Sequence, residues 1–132
     1  AGHLDQVEHL LQSLTADIRQ QVIASWSDRL PTERATTWLL PADQHIPDWI
    51  KGQHPLVAVR VTTHPLCVGL CNSFGGFIVS TSANPAGLTP AHSLQQAQDY
   101  FASSLHYLKG DLGLSQKPSR IIDAVTGEII RD

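Results

Sequence analysis

A strand followed directly by a proline-started helix is the feature that most constrains this fold. Residues 55–61, PLVAVRV, alternate so that three valines share one face, which predicts a buried strand. Thr63 then offers a helix cap, and Pro65 falls in the first turn, where its missing N–H is not needed. The predicted helix ends before two glycines. Such a succession favours a layered fold over a helical bundle.

The N-terminal half of the chain continues this alternation. Apolar residues at helical spacing over 7–14 predict a first helix, and Thr15 is placed to cap a second that carries Trp26. TTWLLP (36–41) and FIVST (77–81) each predict a short strand. Strands and helices therefore alternate from the start of the sequence.

The C-terminal half adds a helix and a hairpin. Ser93 and Gln96 form a capping-box pattern, which predicts a helix that begins at residue 94. HYLKG (106–110) predicts a weak strand, and SRIIDAVTGEIIRD (119–132) predicts two strands around a Thr-Gly turn. The expected fold class is α/β or mixed α+β: a twisted mixed sheet with flanking helices, in one domain over residues 1–132.

Composition narrows the class of protein. A chain of 132 residues that is 42% hydrophobic predicts a globular domain with a core of its own. No apolar run approaches the roughly 18 residues that span a bilayer, and a net charge of −3 gives no general attraction to nucleic acid. Cys67 and Cys71, four apart in a helical pattern, predict reduced, buried thiols in a cytoplasmic protein without a metal site.

Arg60 is the first candidate site residue, because it interrupts an otherwise apolar strand. A guanidinium is rarely buried without a partner. One interpretation is structural: the group reaches water from an edge strand or pairs with a carboxylate. The other is a fork that binds a carboxylate or phosphate through two hydrogen bonds. The residue alone favours the structural interpretation.

A second cluster of polar residues, STSAN (80–84), follows the predicted strand 77–81. Open α/β sheets bind ligands at the carboxyl ends of their strands, and short hydroxyl and amide side chains suit a small polar ligand. Serine and asparagine before proline are also ordinary turn formers, so this alternative stays open. The sequence shows no Ser-His-Asp arrangement and no glycine-rich phosphate loop, so it predicts no catalytic nucleophile.

Three motifs in order carry a family resemblance: VAVRVTTHP, IVSTSANPAG and KPSRIIDAVTGEIIR. Together they resemble the YrdC-like family of threonylcarbamoyl-AMP synthases, its TsaC branch in particular. The resemblance implies a twisted sheet around a concave groove. It also implies a reaction in which L-threonine, bicarbonate and ATP give threonylcarbamoyl-AMP and pyrophosphate, for the threonylcarbamoyladenosine modification of tRNA.

The resemblance also implies roles for individual residues. Arg60 would hold the carboxylate of threonine, and Ser82 and Ser119 would contact the same substrate. The nucleotide would contact Asn84, Ser93 and Arg131. ATP would enter as a substrate together with Mg²⁺ held mostly through its phosphates, with no tightly bound cofactor.

Two departures from the family pattern lead to further expectations. The family's N-terminal strand, helix and Lys-x-Arg motif are not in this sequence, so we expect residues 1–132 alone to lack synthase activity. Where the family has Trp-Pro-Gly-Pro-x-Thr, Trp26 and Thr37 are separated by SDRLPTERAT. The alternative function is a non-catalytic module that binds nucleotide, RNA or a partner protein on the same fold. An open sheet edge would also favour self-association.

Overall fold

The computed structural model describes residues 1–30, 32–113 and 117–132. Five α-helices and one 3-10 helix are seen in this part of the chain: α1 (Glu8–Leu11), α2 (Ala16–Ser27), α3 (Asp48–Lys51), α4 (Pro65–Phe74), α5 (Leu94–Phe101) and the 3-10 helix Ala102–Ser104. Its four strands are β1 (Thr36–Pro41), β2 (Leu56–Val59), β3 (Arg120–Asp123) and β4 (Ile129–Arg131).

The chain divides into two compact units. The first comprises Ala1–Ile78 with Gly113–Asp132, and the second comprises Val79–Leu112. The first holds all four strands and helices α1 to α4, and the second holds α5 and the 3-10 helix. That residues 1–132 form a single domain stays a prediction.

The four strands form one mixed sheet in the order β2-β1-β3-β4. The pair β1–β2 is antiparallel, β1–β3 is parallel and β3–β4 is antiparallel. Trp38 lies opposite Val59 across the first pair, and Thr36 lies opposite Arg120 across the second. This arrangement confirms the predicted mixed sheet with flanking helices.

The core lies on one face of this sheet. Along β1 and β2 the side chains alternate, so Trp38 and Leu40 are buried with Val57 and Val59 while Ala58 is exposed on the opposite face. Helices α1 and α2 and the N-cap residue of α1 contribute five more large core residues: Val7, Leu10, Leu11, Val22 and Trp26. Ile46, in the connection between β1 and α3, is a further one. The predicted alternation in 55–61 is therefore confirmed, although the strand itself ends at Val59.

Two tryptophan indoles join α2 to β1. Trp26 Nε1 donates to the carbonyl oxygen of Thr36 at 3.0 Å. Trp38 Nε1 donates to Ser25 Oγ at 2.8 Å, and Ser25 in turn donates to the Val22 carbonyl at 2.7 Å. Buried indole N–H groups need such partners, so these bonds hold the helix against the strand.

Helix α4 begins and ends near the predicted positions. Its N-cap is His64 rather than Thr63, because Pro65 occupies the first helical position and the Thr62 hydroxyl accepts the His64 N–H at 3.2 Å. At its end Gly75 has a φ of 81°, a left-handed conformation that glycine adopts without strain. Both cysteines are free thiols, but only Cys71 is fully buried; Cys67 is half-buried.

Two predicted strands are wrong. No strand forms at 77–81 or at 106–110 within the described residues. A strand needs a hydrogen-bonded neighbour as well as apolar residues, and the ladders of the sheet involve neither segment. The polar cluster after residue 79 therefore lies in a turn-rich loop rather than at a strand end.

The C-terminal hairpin and the capped helices are confirmed. Gly127, with a φ of 75°, forms the turn between β3 and β4 and donates to the Asp123 carbonyl at 2.9 Å. Thr15 Oγ1 accepts the Ile18 N–H at the start of α2, as predicted. None of the helices in the described part of the chain has the length and apolar character that a membrane crossing requires.

Candidate functional site

One end of the sheet gathers three of the predicted site residues. At this end β1 and β3 begin while β2 and β4 end. Arg60 directly follows β2, Ser119 directly precedes β3, and Arg131 is the last residue of β4. The topology therefore brings together residues that the sequence separates by up to 71 positions (131 − 60).

Ser119 is the centre of a hydrogen-bonded group. Its Oγ lies 2.8 Å from Thr37 Oγ1, where either hydroxyl can donate. Arg131 Nη2 donates to the same Oγ at 3.2 Å and to the Ser119 carbonyl oxygen at 2.7 Å, while Arg131 Nε donates to that carbonyl at 3.1 Å. The hairpin thus returns Arg131 to the residue that precedes β3.

The guanidinium of Arg131 keeps part of its donor capacity. An arginine carries five N–H donors, and the contacts with Ser119 use Nε and Nη2. No contact from Nη1 to another described residue is seen. This exposed nitrogen can bind an anion while the other two hold Ser119.

Arg60 has no such partner among the described residues: its side chain makes no hydrogen bond and no ion pair there. Because Val59 lies opposite Trp38, Arg60 follows at the level of Thr37. The strand alternation places it on the face away from the core, with Ala58. Of the two structural alternatives, pairing with a carboxylate is therefore wrong for the part of the chain described. Because β2 is an edge strand of the sheet, the other alternative, a guanidinium that reaches water from an edge strand, stays open.

The end of the sheet that holds this group is the basic part of an acidic protein. Six of the nine lysines and arginines lie there: Arg29, Arg34, Arg60, Lys117, Arg120 and Arg131. Asp132 Oδ1 accepts from Arg120 Nε at 2.8 Å and from Arg34 Nη1 at 3.0 Å. The hydrogen bond from Arg120, and then the positive charges around it, lower the pKa of the Asp132 carboxyl below its ordinary value.

The second unit holds Ser82 and Asn84 in a closed turn. The Asn84 N–H donates to the Ser82 carbonyl at 3.1 Å, and the Ala91 N–H donates to the Ala83 carbonyl at 2.9 Å, which closes the loop. The Asn84 amide nitrogen donates to the carbonyls of Pro85, at 3.1 Å, and Leu88, at 2.9 Å. The turn-forming interpretation of Asn84 is therefore confirmed.

The amide oxygen of Asn84 differs from its nitrogen. It is shielded from water, yet it accepts no hydrogen bond from any described residue. Buried polar atoms in folded proteins nearly always have a partner. Asn84 thus combines a turn-forming nitrogen with a shielded oxygen whose acceptor capacity is unused among the described residues.

Ser93, the last predicted site residue, is the N-cap of α5. Its Oγ accepts the Gln96 N–H at 3.1 Å, and the Gln96 side chain accepts the His92 N–H at 2.9 Å. The side chain is exposed, and its own hydroxyl proton remains available as a donor.

Sequence reasoning missed Thr37 and Arg34 as members of this basic end. Thr37 reaches Ser119 across 82 residues, and Arg34 reaches Asp132 across 98 residues. Only the parallel pairing of β1 with β3 makes these contacts, and no local pattern reveals that pairing. The one available signal was the match of Thr37 to the threonine of the family loop.

The opposite end of the sheet carries an open cavity of about 520 Å³. Its lining includes His9, Ser13, Asp43 and His45, and none of the predicted site residues. His9 Nε2 lies 3.6 Å from Asp43 Oδ2, and the His9 and His45 rings meet edge to face. Within residues 1–30, 32–113 and 117–132 no group of three or more potential ligands is placed to hold a metal ion.

Comparisons with known proteins agree with the arrangement of motifs. The Sua5/YciO/YrdC family model, described as telomere recombination, matches residues 1–132. A threonylcarbamoyl-AMP synthase of Acinetobacter baumannii is 72% identical over 131 residues, which cover 99% of this chain and 69% of that protein. Proteins of the same name from Acinetobacter baylyi and Cellvibrio japonicus are 65% and 39% identical, over 69% and 67% of their lengths. The chain therefore belongs to the Sua5/YciO/YrdC family.

Proposed function

We propose that this chain is the part of a threonylcarbamoyl-AMP synthase that holds L-threonine and the nucleotide. The observation that carries the proposal is the basic end of the sheet. There Arg60, which has no side-chain partner among the described residues, lies at the level of the Thr37–Ser119–Arg131 group. Relatives that cover 99% of the chain are named for this activity. The alternative of a non-catalytic binding module is not favoured.

Threonine binding rests on Arg60, Ser82 and Ser119. A guanidinium without a protein partner matches a carboxylate through two parallel hydrogen bonds. Ser119 offers a hydroxyl at the same end of the sheet, and Ser82 offers an exposed one in the second unit.

Nucleotide binding rests on Arg131, Asn84 and Ser93. In the first unit, Arg131 Nη1, which makes no hydrogen bond to the described residues, suits a phosphate oxygen. In the second unit, the Ser93 hydroxyl at the N-cap of α5 is a donor. Both protons of the Asn84 amide nitrogen are engaged in the loop. A nucleotide group that contacts Asn84 Oδ1 must therefore donate, as a ribose hydroxyl or the adenine amine does.

The proposed reaction needs positioning rather than a protein nucleophile. The amine nitrogen of threonine forms a bond to the carbon of bicarbonate, and a C–O bond of bicarbonate breaks to release water. An oxygen of the resulting carbamate then forms a bond to the α-phosphorus of ATP. The bond from that phosphorus to pyrophosphate breaks, and pyrophosphate leaves. Arg60 contributes to alignment by holding the threonine carboxylate, and Arg131 contributes a cation that neutralises charge developing on the phosphates. Magnesium enters with ATP and is held by its phosphates.

Further proposals concern partners and location. The basic end of the sheet is the surface that we propose for tRNA contact. The free thiols of Cys67 and Cys71 support a cytoplasmic location. Strand β4 forms one edge of the sheet with Ile129 and Ile130 half exposed, which supports self-association through that edge. Light scattering over a concentration series tests the last point, and a constant monomer mass contradicts it.

Calorimetric titration of the chain tests threonine binding directly. L-threonine is titrated beside L-valine, its isostere without the hydroxyl, and beside L-serine. We expect heat with threonine and at least tenfold weaker binding of valine, because a site built for a hydroxyl leaves polar groups unpaired when the hydroxyl is absent. Equal binding of threonine and valine, or no binding of threonine, contradicts the proposal.

A further inference from the structure

Thr37 is a residue of the basic end for which the function proposed above assigns no role. It is half-buried on β1, and its hydroxyl lies 2.8 Å from the hydroxyl of Ser119. Its neighbour Thr36 has no hydrogen bond through its side chain within the described residues, although its backbone carbonyl accepts from Trp26. Of these two adjacent threonines, only Thr37 has a side-chain hydroxyl that contacts Ser119.

The chemistry of the partners determines the direction of the hydrogen bonds. Arginine only donates, so Ser119 Oγ accepts from Arg131 Nη2. A carboxylate only accepts, so a serine that binds a substrate carboxylate must use its single proton for that bond. The bond between the two hydroxyls can then form only if Thr37 donates to Ser119.

We propose that Thr37 is a positioning residue that orients the Ser119 hydroxyl toward the carboxylate of the substrate. The inference rests on the proposed function for the identity of the ligand. Thr37 donates a hydrogen bond to Ser119, and Ser119 donates one to the carboxylate. Ser119 Oγ then accepts two hydrogen bonds, one from Thr37 and one from Arg131. The same hydroxyl therefore contacts both the proposed threonine carboxylate and the arginine proposed to bind the nucleotide.

The test compares Thr37→Val, which keeps the branched shape but lacks the donor, with Thr37→Ser, which keeps the donor. Thr36→Val is the matched control on the same strand. Calorimetry should show threonine affinity about tenfold weaker in Thr37→Val, since loss of one such bond to a charged ligand is of that order. Thr37→Ser and Thr36→Val should both bind within about threefold of the unchanged chain.

Two further measurements separate positioning from a merely structural role. In the Ser119→Ala background, adding Thr37→Val should have no further effect on affinity, because Thr37 acts through that hydroxyl. Three-bond NMR couplings of Ser119 should show one χ1 rotamer in the unchanged chain and rotamer averaging in Thr37→Val. This second readout needs no ligand.

The outcomes distinguish the two proposals. If the chain binds no threonine but Ser119 loses its single rotamer in Thr37→Val, the proposed function fails and the positioning role stands. If threonine binds normally and Thr37→Val changes neither affinity nor the rotamer, the positioning role is overturned and the function stands. Equal losses in Thr37→Val and Thr36→Val would also overturn it, because the effect would then come from the strand.

Discussion

Arg60 differs from the other arginines at its end of the sheet in having no protein partner among the described residues. The remaining four are engaged: Arg29 with Thr63, Arg34 and Arg120 with Asp132, and Arg131 with Ser119. Arg60 directly follows an edge strand, where water can solvate its guanidinium, and the same group has its donors available for an anionic ligand. The sequence alone favoured a structural role, because it could not show that no carboxylate lies near.

Replacing Arg60 by lysine should affect binding without affecting stability. Lysine keeps the charge but loses the two-pronged hydrogen bonding, so threonine affinity should fall by about tenfold or more. The melting temperature should stay unchanged, since no described contact is lost. Calorimetry and thermal unfolding measure the two effects. Arg19→Lys is the contrasting control: Arg19 Nε donates to the Leu11 carbonyl at 3.0 Å, so this variant should lower the melting temperature and leave threonine affinity unchanged. A lower melting temperature with unchanged affinity would indicate a structural arginine.

Asn84→Asp should open its loop more than Asn84→Ala does. The alanine variant loses two hydrogen bonds, whereas the aspartate variant sets a carboxylate oxygen against the carbonyls of Pro85 and Leu88. We expect the free energy of local opening to fall by about 1–2 kcal/mol in the alanine variant and further in the aspartate variant. Hydrogen exchange at the Ala91 amide, which closes the loop, measures this. Equal protection in all three chains would show that Asn84 does not hold the turn.

At the scale of elements, the predictions succeeded where the signal was local and failed where it was not. The Thr15 and Ser93 caps, the Gly75 stop and the Thr-Gly hairpin turn depend on neighbouring residues, and all four are confirmed. The strand predicted at 77–81 is wrong, because apolar character does not supply a hydrogen-bonded neighbour. The parallel contact between β1 and β3 joins distant segments and left no local signal.

Ser25→Ala should weaken the attachment of α2 to β1. The substitution removes the acceptor of the Trp38 indole, which is 7% exposed and would keep an unsatisfied N–H. We expect the free energy of unfolding to fall by about 1–3 kcal/mol. Urea unfolding measures the change, and Ser27→Ala, exposed at the end of the same helix, should change it little. Similar losses in both variants would show that the loss does not come from the Trp38 indole.

The ion pairs of Asp132 with Arg34 and Arg120 should make the melting temperature depend on pH in the acid range. Its pKa in the folded chain is lowered, so its stabilisation is complete above the ordinary value near 3.8 and is lost as the pH falls through the lower folded value. Melting temperatures should therefore separate the unchanged chain from Asp132→Asn at neutral pH and converge near about pH 2. Asp5→Asn, an exposed control, should show no such dependence. A difference that persists in acid would exclude ionisation of Asp132 as its cause.

The whole molecule combines an acidic total charge with a basic end of its sheet. Taken as an average, a net charge of −3 gives no general attraction to nucleic acid. The topology changes that conclusion, because it places six of nine cations at the end where β2 and β4 finish. A concentration of positive charge attracts an anionic substrate locally whatever the total. The ordered motifs predicted the family and three residues of this end, whereas Thr37 and the Arg34–Asp132 pair required the assembled sheet.

The most direct test is synthase activity in a chimera. Residues 1–132 replace the 131 aligned residues of the Acinetobacter baumannii threonylcarbamoyl-AMP synthase, and mass spectrometry follows threonylcarbamoyl-AMP formed from threonine, bicarbonate and ATP. We predict turnover within about tenfold of that relative, and at least about thirtyfold less in the Arg60→Ala chimera, because the substrate carboxylate loses its partner. A chimera that folds with the melting temperature of the relative but forms no product, or one that Arg60→Ala leaves fully active, would contradict the account.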